Sequence, residues 1–331
     1  MRRLIIGILL IAVLVAGVAA WLLQDWQQFR QRPLTQDGPV NLWLDSGTSF
    51  RGMVRQLELL GVSRFDWRWR LLGRVESPVL KAGEYRIDPG MSVSQLLERI
   101  VTGQVRKHRF TIVEGWTVSE LRSELTADSR LRKVAADLTE AELMQHLDCG
   151  GCEAEGRFLP ETYFFVRGSS DLQLLERAYA DMSRALEAAW SKRDDDLPLD
   201  DPYELLVLAS LIERETGRPD ERSRIAGVFV RRLRKGMRLQ TDPTVVYGLG
   251  EDFAGRLRRV HLTTDHPWNT YTRHGLPPTP IALPGRASLE AAARPAEGTA
   301  LYFVARGDGS HHFSNTLAEH NAAVDRYIRG R

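Results

Sequence analysis

Cysteine is scarce in this chain: only Cys149 and Cys152 occur in 331 residues. A lone C-x-x-C pair cannot supply four ligands to a structural zinc ion, and although His146 could add a third, no fourth is evident. Outside the cytoplasm such a pair is expected to close a short-loop disulfide, with free thiols as the alternative and no catalytic role in either case. An excess of charge of one sign is also missing. Forty-five basic and 43 acidic side chains leave a formal net charge of +2, which gives no electrostatic footprint for nucleic acid. No Gly-rich phosphate loop and no convincing Ser/His/Asp order occur. What remains is ordinary globular composition, 43 % hydrophobic and 27 % charged, with room for one large domain or two ordinary ones beside an anchor.

Long apolar runs are missing too, with one exception. Met1-Arg-Arg is followed by a charge-free stretch from Leu4 to Leu23. A helix of that length matches the ~30 Å hydrocarbon core of a bilayer. A cleavable signal peptide usually has a shorter apolar region, although Val18-Ala19-Ala20 would serve as a weak cleavage site. Trp21 suits the membrane interface, and Arg2 and Arg3 favour a cytoplasmic N-terminus. The expected organisation is a tail at 1–3, an inner-membrane span at 4–23 and a linker at 24–40 containing Pro33, Gly38 and Pro39. The remainder then lies on the periplasmic side.

One local pattern then occurs three times: Ser46-Gly-Thr-Ser-Phe-Arg-Gly-Met, Pro89-Gly-Met-Ser-Val-Ser-Gln-Leu and Glu114-Gly-Trp-Thr-Val-Ser-Glu-Leu. Each has a Gly turn, then Ser49, Ser92 or Thr117 at a helix N-cap, then apolar residues three apart. Thr117-x-x-Glu120 is a capping box and Ser92-x-x-Gln95 its amide version. A short extended run such as Gly83–Asp88 precedes the turn, so the unit reads as strand, turn and helix. Such units resemble LysM-type carbohydrate-binding modules, and a LysM-like subdomain is expected over 41–125; a plain α+β packing unit is the alternative. The fold class is then α+β: a transmembrane helix, the LysM-like subdomain, and a mixed α+β catalytic domain over 126–331.

Within that last segment the spacing predicts helices over 170–193 and 202–216, the latter after an acidic, proline-punctuated break. A hairpin is expected around Asp308-Gly309 and a closing helix over about 316–328. In the second of these helices Leu205, Leu208, Leu211 and Ile212 form one buried row that Glu215 continues, whereas Glu213 falls on another face. A carboxyl at the end of a buried stripe loses hydration and its pKa rises, which is what a general acid near neutral pH needs. The spacing equally suits a structural glutamate paired with Arg214, Arg218, Arg222 or Arg224.

The run Leu208-Ala-Ser-Leu-Ile-Glu-Arg-Glu-Thr216 resembles the corresponding stretch of the endolytic murein transglycosylase (YceG-like) family. So do Val228-Phe-Val-Arg-Arg-Leu-Arg-Lys-Gly-Met-Arg-Leu-Gln-Thr-Asp-Pro-Thr-Val-Val-Tyr-Gly248, Trp268-Asn-Thr-Tyr-Thr272, Gly275-Leu-Pro-Pro-Thr-Pro-Ile-Ala-Leu-Pro-Gly285 and Leu301-Tyr-Phe-Val-Ala305, and the likeness covers nearly the whole chain. The resemblance implies an inner-membrane lyase that cuts peptidoglycan glycan strands between MurNAc and GlcNAc. It implies 1,6-anhydro ends, no cofactor and no metal, and a role in ending strand growth near the penicillin-binding synthases. It places the catalytic acid at Glu215, with Glu213 as a supporting residue. One carboxylate then suffices, and no second one is expected in an equally apolar setting. Gln240, Asp242, Thr244, Tyr247, Asn269 and Tyr271, in stretches that read as loop, are the candidate substrate-binding residues. Asp242 reads either as a turn residue before Pro243 or as a substrate-orienting group. Glu161 is a further candidate for the cleft, and His311 and His312 are expected to be exposed beside the hairpin turn. A non-catalytic peptidoglycan-binding assembly protein is the alternative.

Overall fold

A computed structural model describes residues 2–34, 38–250, 253 and 255–330. The chain forms two compact units, Met1–His108 with Phe164–Arg167 and Arg109–Tyr163 with Gly168–Arg331. The division thus falls near residue 108, and not at 125. The third copy of the repeated pattern lies in the second unit, where the Gly115 N–H donates to the Leu283 carbonyl and the Leu283 N–H to that of Trp116.

In the first unit, helix α1 (Arg2–Gln31) is followed by β1 (Val40–Leu44), α2 (Phe50–Leu59), α3 (Trp67–Val75), β2 (Gly83–Ile87) and α4 (Val93–Thr102), and the unit's first segment ends two residues into β3 (Lys107–Thr111). β1 and β2 pair antiparallel with Leu42 opposite Tyr85. Their inward residues Leu42, Leu44, Tyr85 and Ile87 are fully buried with Met53, Trp69 and Leu96 from the helices. Helices α2 and α4 start where the caps place them: the Ser49 hydroxyl accepts the Gly52 N–H, and Ser92 with Gln95 closes a reciprocal capping box.

Helix α1 differs from the expected span plus linker. From Leu4 to Leu23 its surface is apolar and unburied, and the helix is long and apolar enough to cross a membrane. It does not stop at Leu23, however: the stretch expected as linker stays helical to Gln31. Packing is the reason. Phe29 is buried edge-on against Trp69 at 5.3 Å, and Asp25 accepts a two-pronged ion pair from Arg68 at 2.7 and 2.8 Å. Met1 and residues 35–37, parts of the expected tail and linker, lie outside the described residues.

The second unit is mainly helical. It contains α5 (Val118–Ala127), α6 (Glu140–His146), β4 (Thr162–Val166), α7 (Asp171–Trp190), α8 (Pro202–Glu215), α9 (Arg222–Arg234), α10 (Asp242–Leu249), α11 (Arg259–Thr263), α12 (Arg286–Ala293), the hairpin β5 (Tyr302–Ala305) and β6 (His311–Ser314), and α13 (Leu317–Val324). β3 pairs with β4, and the division between the units falls within both strands. Cys149 and Cys152 are joined by a disulfide just after α6.

Helix α8 is the centre of this unit. Every residue from Leu205 to Ile212 is buried, so the expected single row is a helix apolar on all sides, with α7, α9, α10 and α12 packed around it. Asp201 caps it and Pro202 occupies its first position, where a missing N–H loses nothing. The fit of α9 depends on Gly227, where an added Cβ would lie 2.4 Å from the Ala296 carbonyl oxygen and 2.8 Å from the Arg231 guanidinium. Gly227→Ala is therefore expected to destabilise the chain by about 1–3 kcal/mol, despite the up to ~1 kcal/mol that alanine gains as a helix former. Chemical denaturation in detergent micelles checks this.

Candidate active site

Glu215 is the last residue of α8, where the buried stripe meets the surface. The residue is partly buried, and loss of hydration is the largest influence on its carboxyl, raising the pKa. The Thr241 hydroxyl donates to Glu215 Oε1 and pulls the pKa part of the way back, while the negative charge of Asp242 raises it again. The Arg232 guanidinium, and the His311 ring whenever it carries a proton, pull it down further. Arg232 is buried on α9 and held by carbonyls, its Nε donating to Leu301 at 2.6 Å and its Nη1 to Leu239 at 2.8 Å. His311 donates its backbone N–H to Glu221 at 3.0 Å and places Nδ1 2.7 Å from the same carboxylate. Its side chain is only 12 % exposed, so the expectation of an exposed histidine is corrected: β6 turns it inward onto α9's first turn.

Asp242 opens α10 and is exposed, so it is the first residue of a helix rather than a turn before Pro243. It accepts the Tyr271 hydroxyl at 2.5 Å, and burial together with that carboxylate pushes the Tyr271 phenol well above its usual pKa. Glu215, Thr241, Asp242 and Tyr271 therefore form one cluster. Gln240 adjoins it, exposed and in the left-handed region at φ 51°, with its N–H donating to the Thr270 carbonyl.

The other candidates go elsewhere. Thr244 and Tyr247 lie on α10, not in a loop. Thr244 is fully buried and shares its hydroxyl with Thr241 and Thr270. Asn269 is 2 % exposed and staples a loop, its amide donating to the carbonyls of His261, Leu262 and Thr264. Tyr247 points to Glu155. Glu161 is exposed and accepts the N–H of its own neighbour Thr162. Glu213 is turned away from Glu215: its side chain is 5 % exposed, and it accepts the Gly285 N–H at 2.9 Å at the start of α12, with Arg222 3.8 Å away.

The expectation of no second carboxyl in an apolar setting is overturned by Glu155. It is 7 % exposed, and burial pushes its pKa up to about 7. Its position just before Gly156 and the apolar Phe158-Leu159 was the available signal. Thr241 and Arg232 sit inside the quoted motifs, but nothing in their spacing marks them as partners of Glu215.

The YceG-like family matches residues 42–326. An endolytic murein transglycosylase of Bacillus subtilis is 28 % identical over 310 residues, covering 88 % of this chain and 86 % of the relative. The protein of the same name from Streptococcus pneumoniae is 27 % identical over 332 residues. This chain spans 59 % of that longer protein's length. The crystal structure of a YceG-like protein of Listeria monocytogenes superposes with a TM-score of 0.54 at 27 % identity, covering 87 % of this chain and 99 % of that one. With a family match that runs through both units, the chain belongs to the YceG-like family.

Proposed function

We propose that this chain is a peptidoglycan lytic transglycosylase that cuts within glycan strands, with Glu215 as acid and then base. The observation that carries the reading is the desolvated Glu215 carboxyl at the surface end of α8, held by Thr241 beside the exposed Asp242 and its half-buried partner Tyr271. Relatives over most of the chain bear the name endolytic murein transglycosylase.

The chemistry follows from a carboxyl that holds its proton. Glu215 gives that proton to the oxygen linking MurNAc C1 to GlcNAc, and the bond breaks as positive charge builds at C1. The carboxylate left behind removes the proton of the MurNAc 6-hydroxyl, whose oxygen closes onto C1. The product is a 1,6-anhydro end, no water is consumed, and Glu215 regains its starting proton. The muramyl acetamido group assists by stabilising the anomeric charge. Asp242 and Tyr271, one exposed and one half-buried, are placed to orient sugar hydroxyls.

In this reading α1 anchors the chain in the inner membrane with both units in the periplasm, and the cuts end strand growth near the penicillin-binding synthases. The order strand, two helices, strand in the first unit supports a LysM-like role in holding glycan. The test is digestion of purified glycan strands with mass spectrometry of the products. Anhydro ends support the proposal, reducing ends make the protein a hydrolase, and binding without cleavage makes it a non-catalytic assembly protein.

Thr241→Val gives a finer check. Removing a hydrogen bond that favours the ionised carboxyl raises the Glu215 pKa further, so the alkaline limb of the kcat/KM profile moves to higher pH. A limb that stays in place or moves down would mean that another group supplies the proton.

A further inference from the structure

The second unit holds a cavity of about 800 Å³ to which the reaction above assigns no role. Glu155 lies in its lining. Both oxygens of this carboxyl accept the Val118 N–H at the start of α5, at 3.2 and 3.3 Å, and one accepts the Tyr247 hydroxyl from α10 at 3.3 Å. The carboxyl is thus fixed by two helices rather than left to move. Aromatic rings line the same space, among them Tyr247, Trp268 and His266. Tyr247 and Trp268 lie 5.8 Å apart and tilted at 55°, and His266 stacks on Trp268 at 5.3 Å. The Trp268 indole donates to Thr279 at 2.9 Å, which holds the ring in place.

The charges select against an anion. Glu120, Glu140 and Glu153 also line the cavity, against the single guanidinium of Arg214. Two of them are already engaged: Glu120 caps α5 by accepting the Thr117 N–H, and Glu140 accepts the Ala154 N–H at 3.0 Å. What the space offers a ligand is a set of ring surfaces together with hydrogen-bond acceptors, Tyr247 lying directly beside Glu155. Its volume falls within the range of ordinary small-molecule sites. Rings with an apolar body and a polar tip beside fixed oxygen acceptors suit a neutral, hydroxyl-rich molecule better than a wholly apolar or an acidic one.

The cavity is also next to Glu215 along the chain. Arg214, the preceding residue of α8, lines it, as do Pro243, Val246 and Tyr247 of α10, while Thr241 just before α10 holds the Glu215 carboxyl. From Thr241 to Tyr247 the helical rise is roughly 9 Å, a distance that a short run of linked sugar rings covers. We propose that this cavity is a saccharide subsite that takes an uncharged N-acetylhexosamine ring of the strand being cut, seated against Tyr247 and Trp268 with its polar groups on Glu155. This rests on the reading of the protein as a glycan-cleaving enzyme.

The test uses the full chain in detergent micelles with Glu215→Gln, so that the ligand survives, and titrates it with chitotetraose by calorimetry. Two second changes are compared. Ser119→Trp places a large ring in the cavity from an exposed position on α5, and Glu155→Gln alters the fixed carboxyl. Thermal melts establish that each variant is folded. The expected result is measurable binding by the Glu215→Gln chain and a loss of affinity of at least about tenfold in each folded double variant. Unchanged affinity in folded Ser119→Trp, or no chitotetraose binding at all, overturns the subsite. Digestion of glycan strands by the unmodified chain is run alongside. Anhydro ends there together with unchanged binding in Ser119→Trp refute the subsite alone, whereas absence of any cleavage refutes the enzyme reading itself.

Discussion

Glu215→Gln is expected to lower the rate of anhydro-end formation by about 10²–10⁴-fold, the range that a positioned general acid or base contributes. Glutamine keeps the size and one acceptor for the Thr241 hydroxyl but has no proton to give and cannot take one back, so both halves of the reaction fail together. Binding of the strand should persist, because the exposed Asp242 and the Tyr271 hydroxyl are untouched. Glu213→Gln is the control. Its carboxyl accepts the Gly285 N–H and faces Arg222, so the change should cost stability while leaving the product chemistry alone. Full activity in Glu215→Gln with loss in folded Glu213→Gln would move the acid by two residues along α8.

The second large effect is on stability, and comes from Glu155. Its pKa is raised from 4.5 to about 7 in the folded chain, burial being the largest cause. The folded state therefore holds this proton more tightly than the unfolded chain does. The contribution is complete below about pH 4.5, declines as the pH rises, and is gone above about pH 7. The loss amounts to on the order of 3 kcal/mol. Glu215, also raised, acts in the same direction, while lowered carboxyls such as Asp128 oppose it. The difference in unfolding free energy between the parent and Glu155→Gln isolates the one group: it should change by about 3 kcal/mol between pH 4 and pH 8. A difference that is constant with pH would mean that the carboxyl is hydrated.

What the sequence made legible was local. Ser49, Ser92 and Thr117 mark the starts of α2, α4 and α5 because a cap is decided within four residues. The hairpin around Asp308-Gly309 and the helix ending at Glu215 are local in the same sense, and the raised pKa of Glu215 follows from its place on the stripe. Long-range contacts were not legible. Glu155 gains its setting from Val118 and Tyr247, 37 and 92 residues away. Helix α10 was obscured because Asp-Pro followed by the β-branched run Thr244-Val245-Val246 reads as turn and extended chain. Pro243 instead serves as a first-turn residue, and burial of Thr244 and Val245 outweighs their weak helix preference. Asn269 and Thr244 looked like sugar binders because their residue types suit sugars, but their hydrogen bonds are all spent inside the protein.

The unbroken run of α1 into the first unit has a mechanical consequence. A coil after Leu23 would let the folded part wander; a helix clamped at its far end by Asp25–Arg68 and Phe29–Trp69 does not. With the apolar turns seated in a bilayer, the eight residues from Gln24 to Gln31 rise about 12 Å and hold the first unit along their length from Asp25 onward, like a lamp on a stiff stem. Each residue added to or taken from that stem would swivel the lamp by about 100°, changing the direction in which any one face of the first unit looks.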